Sequence, residues 1–184
     1  SWRQVTDVTT PPSGTEYVAV RLLADRSGTN MDAFFDNVEL YAEGVAEVAT
    51  LDGIDDYIEV ADSASLTVTN EVTMEAWVYP TGPGSDATYG GVIMSKDGEY
   101  QFGRGPTGDL WANVGNTSPG WSVVSSGYTI PTDQWTHVGA TYEAIYGVLT
   151  FYVNGSAVAT SVGSGAIGDY YPSLNSVYIG ARPS

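Results

Sequence analysis

Almost nothing in this chain repeats with a helical period. Short runs that alternate apolar and polar residues are separated by Gly, Pro, Asn and Asp about every 8 to 12 residues, the spacing of antiparallel sandwiches and barrels. The runs include Glu16–Leu23, Val72–Tyr79, Gly91–Ser95, Trp135–Tyr142 and Leu149–Val153. Successive side chains of a strand point to opposite faces, so each run gives one face to a core and the other to water or a neighbour. Asn154 and Gly155 stand between two such runs and predict a tight hairpin, because both residues accept a positive φ. The stretches 82–89, 115–120 and 163–171 predict long rim loops, the usual home of a ligand site.

Composition narrows the partners. The formal charge of −16, from 22 acidic against six basic residues, argues against nucleic acid and against anionic membranes. Such acidity keeps a surface soluble, and it also allows some carboxylates to hold a hard cation such as Ca²⁺. No run of about 18 apolar residues occurs, so no membrane-spanning helix is expected. The chain has no Cys, which excludes disulfides, thiolate metal sites and a cysteine nucleophile. Few charges with 22 Gly and 13 Tyr fit an exposed β-rich module, and an extracellular, secreted or cell-surface location is the expectation.

The main composition boundary lies near Gly44. Residues 45–184 read as one all-β domain, an antiparallel β-sandwich. Residues 1–44 hold only about three extra β-strands, interrupted by Pro11–Pro12 and Ser27–Gly28, too few to be stable alone.

Two resemblances follow from particular residues. Leu51–Val60, Ser65–Leu66, Val72–Val78, Ile93–Lys96, Gln134–Val138, Leu149–Gly155 and Tyr178–Arg182 come in the order and spacing of a domain that resembles the laminin-G-like, concanavalin-A-like jelly rolls. Trp2–Val8, Pro11–Gly14, Tyr17–Arg21 and Phe34–Tyr41 resemble the last strands of a galactose-binding-like carbohydrate-binding module. The first resemblance implies one more closing strand after residue 184, beside the first strand, and Phe34–Tyr41 also resembles that strand.

Two explanations compete. The chain is an excerpt of a longer multi-module protein, or its N-terminal strand completes a sheet, its own or that of the next subunit. In the second case Phe34, Phe35, Val38, Leu40 and Tyr41 are the complementing residues, with alternate side chains fixing the register. Donation between chains is a head-to-tail contact, and an unclosed one makes a filament. The leading expectation is therefore a non-catalytic extracellular structural protomer that assembles with itself into a fibre. The alternative is a lectin-like, carbohydrate-binding module of a secreted polysaccharide-degrading or adhesive protein.

The chemistry points away from catalysis. His137 is the sole histidine and sits inside a strand pattern, where a structural role outweighs a catalytic one. No clustered carboxylates with glycosidase spacing occur, and Glu75 stands alone. Asp52, Asp55 and Asp56 cluster near the first strand, with Asp36 beside them if Phe34–Tyr41 pairs there, and they are candidate Ca²⁺ ligands or simply a solvated turn. For the glycan alternative, Trp111, Trp121, Tyr128, Tyr170 and Tyr171 lie in or near the loops, where their faces can stack on sugar rings or serve as core anchors. The sequons at Asn116 and Asn154 are candidate glycosylation sites.

Overall fold

The structure, a computed structural model, describes residues 48–173 and 175–182. The expected N-terminal strands, with Phe34, Phe35, Asp36, Val38, Leu40 and Tyr41, lie outside the described residues. The described chain forms ten strands: β1 (Ile58–Val60), β2 (Glu71–Val78), β3 (Gly91–Lys96), β4 (Tyr100–Arg104), β5 (Asp109–Val114), β6 (Val124–Thr129), β7 (Thr136–Glu143), β8 (Val148–Val153), β9 (Ser156–Val162) and β10 (Val177–Ile179). They make a six-stranded sheet in the order β1-β10-β3-β4-β5-β6 and a four-stranded sheet in the order β2-β7-β8-β9. Every pairing is antiparallel. The all-β sandwich expected from the alternation is the fold observed, and it is that of a jelly roll.

Alternation decides what goes inside. In β2, Met74 is buried and Ala76 and Val78 are half-buried, while Glu71, Thr73, Glu75 and Trp77 between them are exposed. Val138, Ala140 and Tyr142 of β7 and Leu149, Phe151 and Val153 of β8 join Met74 in one apolar cluster. The other sheet contributes Tyr100, Phe102, Leu110, Ala112 and Val114 to the same cluster. Each large side chain so buried contributes about 1.5–3 kcal/mol.

The predicted hairpin is present. Val153 pairs with Ser156 across it, and Asn154 and Gly155 hold φ of 49° and 76°. The three predicted loops fall between β2 and β3, β5 and β6, and β9 and β10. The last two are tied together, since the Thr117 amide donates to Ser164 O (3.0 Å) and the Ser164 amide to Ser118 O (2.8 Å).

The Leu51–Val60 run is strand only over β1, because Asp52 claims the backbone before it. Its Oδ1 accepts from the amides of Ile54 (2.8 Å) and Asp55 (3.3 Å), a local turn that competes with ladder bonding. Among the described residues β1 is an edge of its sheet, paired with β10 alone.

Candidate functional site

The outer face of the four-stranded sheet carries a patch that the sequence reading did not pick out. Trp77 of β2 lies opposite His137 of β7 in the ladder, with ring centroids 5.3 Å apart at 54°. One step further along the same face, Tyr79 meets Trp135, centroids 5.6 Å apart at 57°. The two pairs are separated by two residues, about 7 Å along the strands. Trp77 is 63% exposed, Trp135 46% and Tyr79 44%, so two indoles and a phenol face water side by side.

Polar groups border the rings. The His137 Nε2 lies 3.4 Å from Glu75 Oε2. The hairpin tip fixes the histidine backbone: its amide donates to Asn154 Oδ1 (3.0 Å), and the Asn154 amide donates to His137 O (2.9 Å). Between Glu75 of β2 and Tyr152 of β8 the ladder places Gly139, which has no side chain and leaves a dip in the face. A surface of exposed ring faces beside a carboxylate, an imidazole and a phenol has the chemistry to hold a ligand with an apolar flank and hydroxyls at its edge.

Three of the five loop aromatics come together at one rim of the sandwich. Trp121 and Tyr171 meet edge to face at 6.4 Å, next to Tyr170 in the neighbouring loop position. Much of this cluster is spent on holding loops. The Tyr170 hydroxyl donates to Asn116 O (2.8 Å) and its amide to Gly98 O (3.1 Å). Tyr170 is still 49% exposed and Tyr171 43%, while Trp121 is half-buried.

Trp111 and Tyr128 do not belong there. Both sit on strands, Trp111 on β5 and Tyr128 near the end of β6. Trp111 is 2% exposed, its Nε1 donates to Tyr89 O (2.9 Å), and its ring packs on Tyr89 at 5.7 Å. No ring face is left for a sugar. Tyr128 is half-buried against the core.

The two sequons differ as sharply. Asn116 is 5% exposed, its Nδ2 donates to the Tyr142 hydroxyl (3.1 Å) and its Oδ1 accepts from the Gly120 amide (3.0 Å). A glycan on that nitrogen is incompatible with this packing, so the Asn116 expectation is corrected on steric grounds. Asn154 is exposed at the hairpin tip.

Asp52, Asp55 and Asp56 can each bring a carboxylate oxygen within 4.8 Å of the others, and all three are exposed. Asp52 has its carboxyl held below the usual range by the Ile54 amide above all. Three carboxylates supply three of the six to eight oxygens that Ca²⁺ takes. The fourth expected ligand, Asp36, lies outside the described residues.

Buried charges elsewhere serve the fold. Lys96 is 1% exposed and pairs with Glu99 and with Asp62 (3.4 Å), while Arg182 holds Asp97 through two bonds of 2.9 and 3.2 Å. Burial pushes the Glu99 carboxyl up in spite of the Lys96 ammonium beside it.

Two antiparallel sheets packed over a single apolar core define a jelly-roll sandwich of the laminin-G-like kind. Residues 52–184 match the model of the concanavalin A-like lectin/glucanases superfamily, and the chain belongs to that family. A similar solved structure is a candidate carbohydrate binding protein from Bacteroides ovatus ATCC 8483, with 24% identity and a TM-score of 0.50 over 67% of this chain and 34% of that one. Another is domain 4 of AbnA, a GH43 extracellular arabinanase from Geobacillus stearothermophilus, in complex with arabinotriose, with 22% identity and a TM-score of 0.49 over 72% and 60% of the two chains. A third is the heptameric SAP-like pentraxin from Limulus polyphemus, with 20% identity and a TM-score of 0.47 over 70% and 58%. The chain thus spans less than two thirds of the length of each, and the likeness is one of fold. Among curated proteins none matches.

Proposed function

We propose that the domain is a non-catalytic carbohydrate-binding module that lays a glycan across the outer face of its four-stranded sheet. The observation that carries this reading is the exposure of Trp77, Tyr79 and Trp135 on one face. Exposed aromatics clustered on a soluble domain mark an interaction surface. Glu75 and His137 set hydrogen-bonding groups beside the Trp77 ring, which favours a sugar over an apolar protein surface. The fold shared with the Bacteroides ovatus protein supports the same role. His137 has Glu75 and Trp77 as its ring partners among the described residues, an arrangement suited to binding rather than to activating a nucleophile. Such a module acts on polymers outside the cell.

The face is preferred to the rim because its rings are free on their outer side, whereas Tyr170 is bonded into the loops that it joins. Assembly by strand complementation rests on residues outside the described ones, and the open edge of β1 does not by itself specify a donor. Affinity electrophoresis of the full chain through gels containing a series of polysaccharides tests the proposal. Trp135→Ala is expected to lose the retardation and Trp121→Ala to keep it. Loss in Trp121→Ala alone would move the site to the rim, and no retardation by any neutral polysaccharide would sink the reading.

A further inference from the structure

This inference rests on the aromatic face being the glycan site. We infer that Glu75 and His137 set the ligand class at that face: neutral glycans with a pair of adjacent hydroxyls, to the exclusion of carboxyl-bearing glycans such as uronic acid polymers. The first part follows from the hydrogen-bonding complement. An ionised carboxylate only accepts, whereas a neutral imidazole has one donor and one acceptor nitrogen. Their polar atoms stand 3.4 Å apart, beside the Trp77 ring. A hydroxyl both donates and accepts, so two neighbouring hydroxyls on one sugar ring can satisfy Glu75 and His137 together while the ring stacks on Trp77.

The second part follows from charge. The outward side chains of β2 and β7 include Glu71, Glu75 and Glu143, with Glu71 and Glu143 directly opposed in the ladder. Among the described residues the ammonium and guanidinium groups are those of Lys96, Arg104 and Arg182. All three sit on or just after strands of the other sheet, and all are engaged. Lys96 pairs with Glu99, Arg104 donates to Ile130 O (3.1 Å) and Gly82 O (2.9 Å), and Arg182 clasps Asp97. Among the described residues, therefore, no lysine or arginine waits on the aromatic face for an acidic sugar. Glu75 lies two residues from Trp77 on the same side, about 7 Å away. That is just inside the Debye length of about 8 Å at physiological salt, so the carboxylate of a sugar stacked on Trp77 feels Glu75 through partial screening.

The test uses the full chain and the neutral polysaccharide that retards it most. Oxidation of that polymer's primary alcohols to carboxylates gives a ligand with the same backbone and added charge. The oxidised polymer is expected to bind about two- to fivefold more weakly in 0.15 M salt, with the gap narrowing in 1 M salt as screening grows. The ratio of the two affinities is the readout for Glu75→Gln, and it is expected to fall toward one, with near-ultraviolet circular dichroism confirming the fold. A salt-independent gap that Glu75→Gln leaves intact is steric and would overturn the inference while leaving the face as the site. Equal binding of the two polymers by the unmodified chain would overturn it as well. If no neutral polysaccharide binds, the parent reading falls and takes this one with it.

Discussion

Removing the indole of Trp77 is the sharpest test of the aromatic face. A tryptophan offers about 150–250 Å² when fully covered. With 63% of Trp77 open to water, roughly 95–160 Å² remains for a ligand. A sugar that lies on one ring face covers about half of that, some 50–80 Å², which at ~25 cal/mol per Å² is worth about 1.2–2 kcal/mol. Trp77→Ala should therefore weaken glycan binding by about 8- to 30-fold. Stability should change little, because the ring rests chiefly on the His137 imidazole and surface changes of this kind cost under about 1 kcal/mol. Titration calorimetry with the bound glycan gives the affinity, and a thermal melt of the same sample gives the stability. Trp77→Phe, which keeps a smaller ring, should fall between. An unchanged affinity would refute the reasoning. So would a melting temperature that collapses along with the binding, since Trp77 would then be a structural residue.

Trp111 predicts the opposite pattern. As a buried side chain that packs on Tyr89 and bonds its carbonyl, its replacement by Ala should cost about 3–5 kcal/mol in urea unfolding, while the folded fraction binds glycan as before. Tyr100 predicts a response to alkali. It is 4% exposed, its hydroxyl donates to Leu66 O (2.8 Å), and burial holds its phenol well above the ordinary value of 10.0. A raised pKa in the folded state gives stability that is fully present below the unfolded pKa and is lost as pH rises past it. Thermal melts should thus fall as pH climbs above about 10, and Tyr100→Phe should flatten that fall; an equal fall in the variant would assign the effect to other groups.

What the sequence made legible was the side of each strand, and what it hid was the cover over that side. The alternation from Val72 to Val78 shows that Met74, Ala76 and Val78 share a face and that Glu75 and Trp77 share the other. The Asn154–Gly155 pair identifies its hairpin because the two positive φ values are a local requirement. Hydrophobicity then misleads in both directions. Trp77 and Trp135 are exposed, while Trp111, expected in or near the loops, is enclosed.

The register supplies the reason. Trp111 lies opposite Gly103, and a Cβ on that glycine would come within 2.6 Å of the Trp111 ring, so the missing side chain is the bed on which the indole lies flat. Trp77 lies opposite His137, whose ring occupies that space and props the indole up into water. Both tryptophans point away from the sandwich core by the same two-residue rule, and the residue across the ladder, together with the Tyr89 cover over Trp111, decides which one is left free to bind. Pairing is a long-range fact, set by strands that stand 60 residues apart for Trp77 and His137 but only eight apart for Gly103 and Trp111. The Gly103–Trp111 pair therefore lay within reach of a hairpin reading through the Pro106–Gly108 turn, whereas the Trp77–His137 pair needed the whole fold.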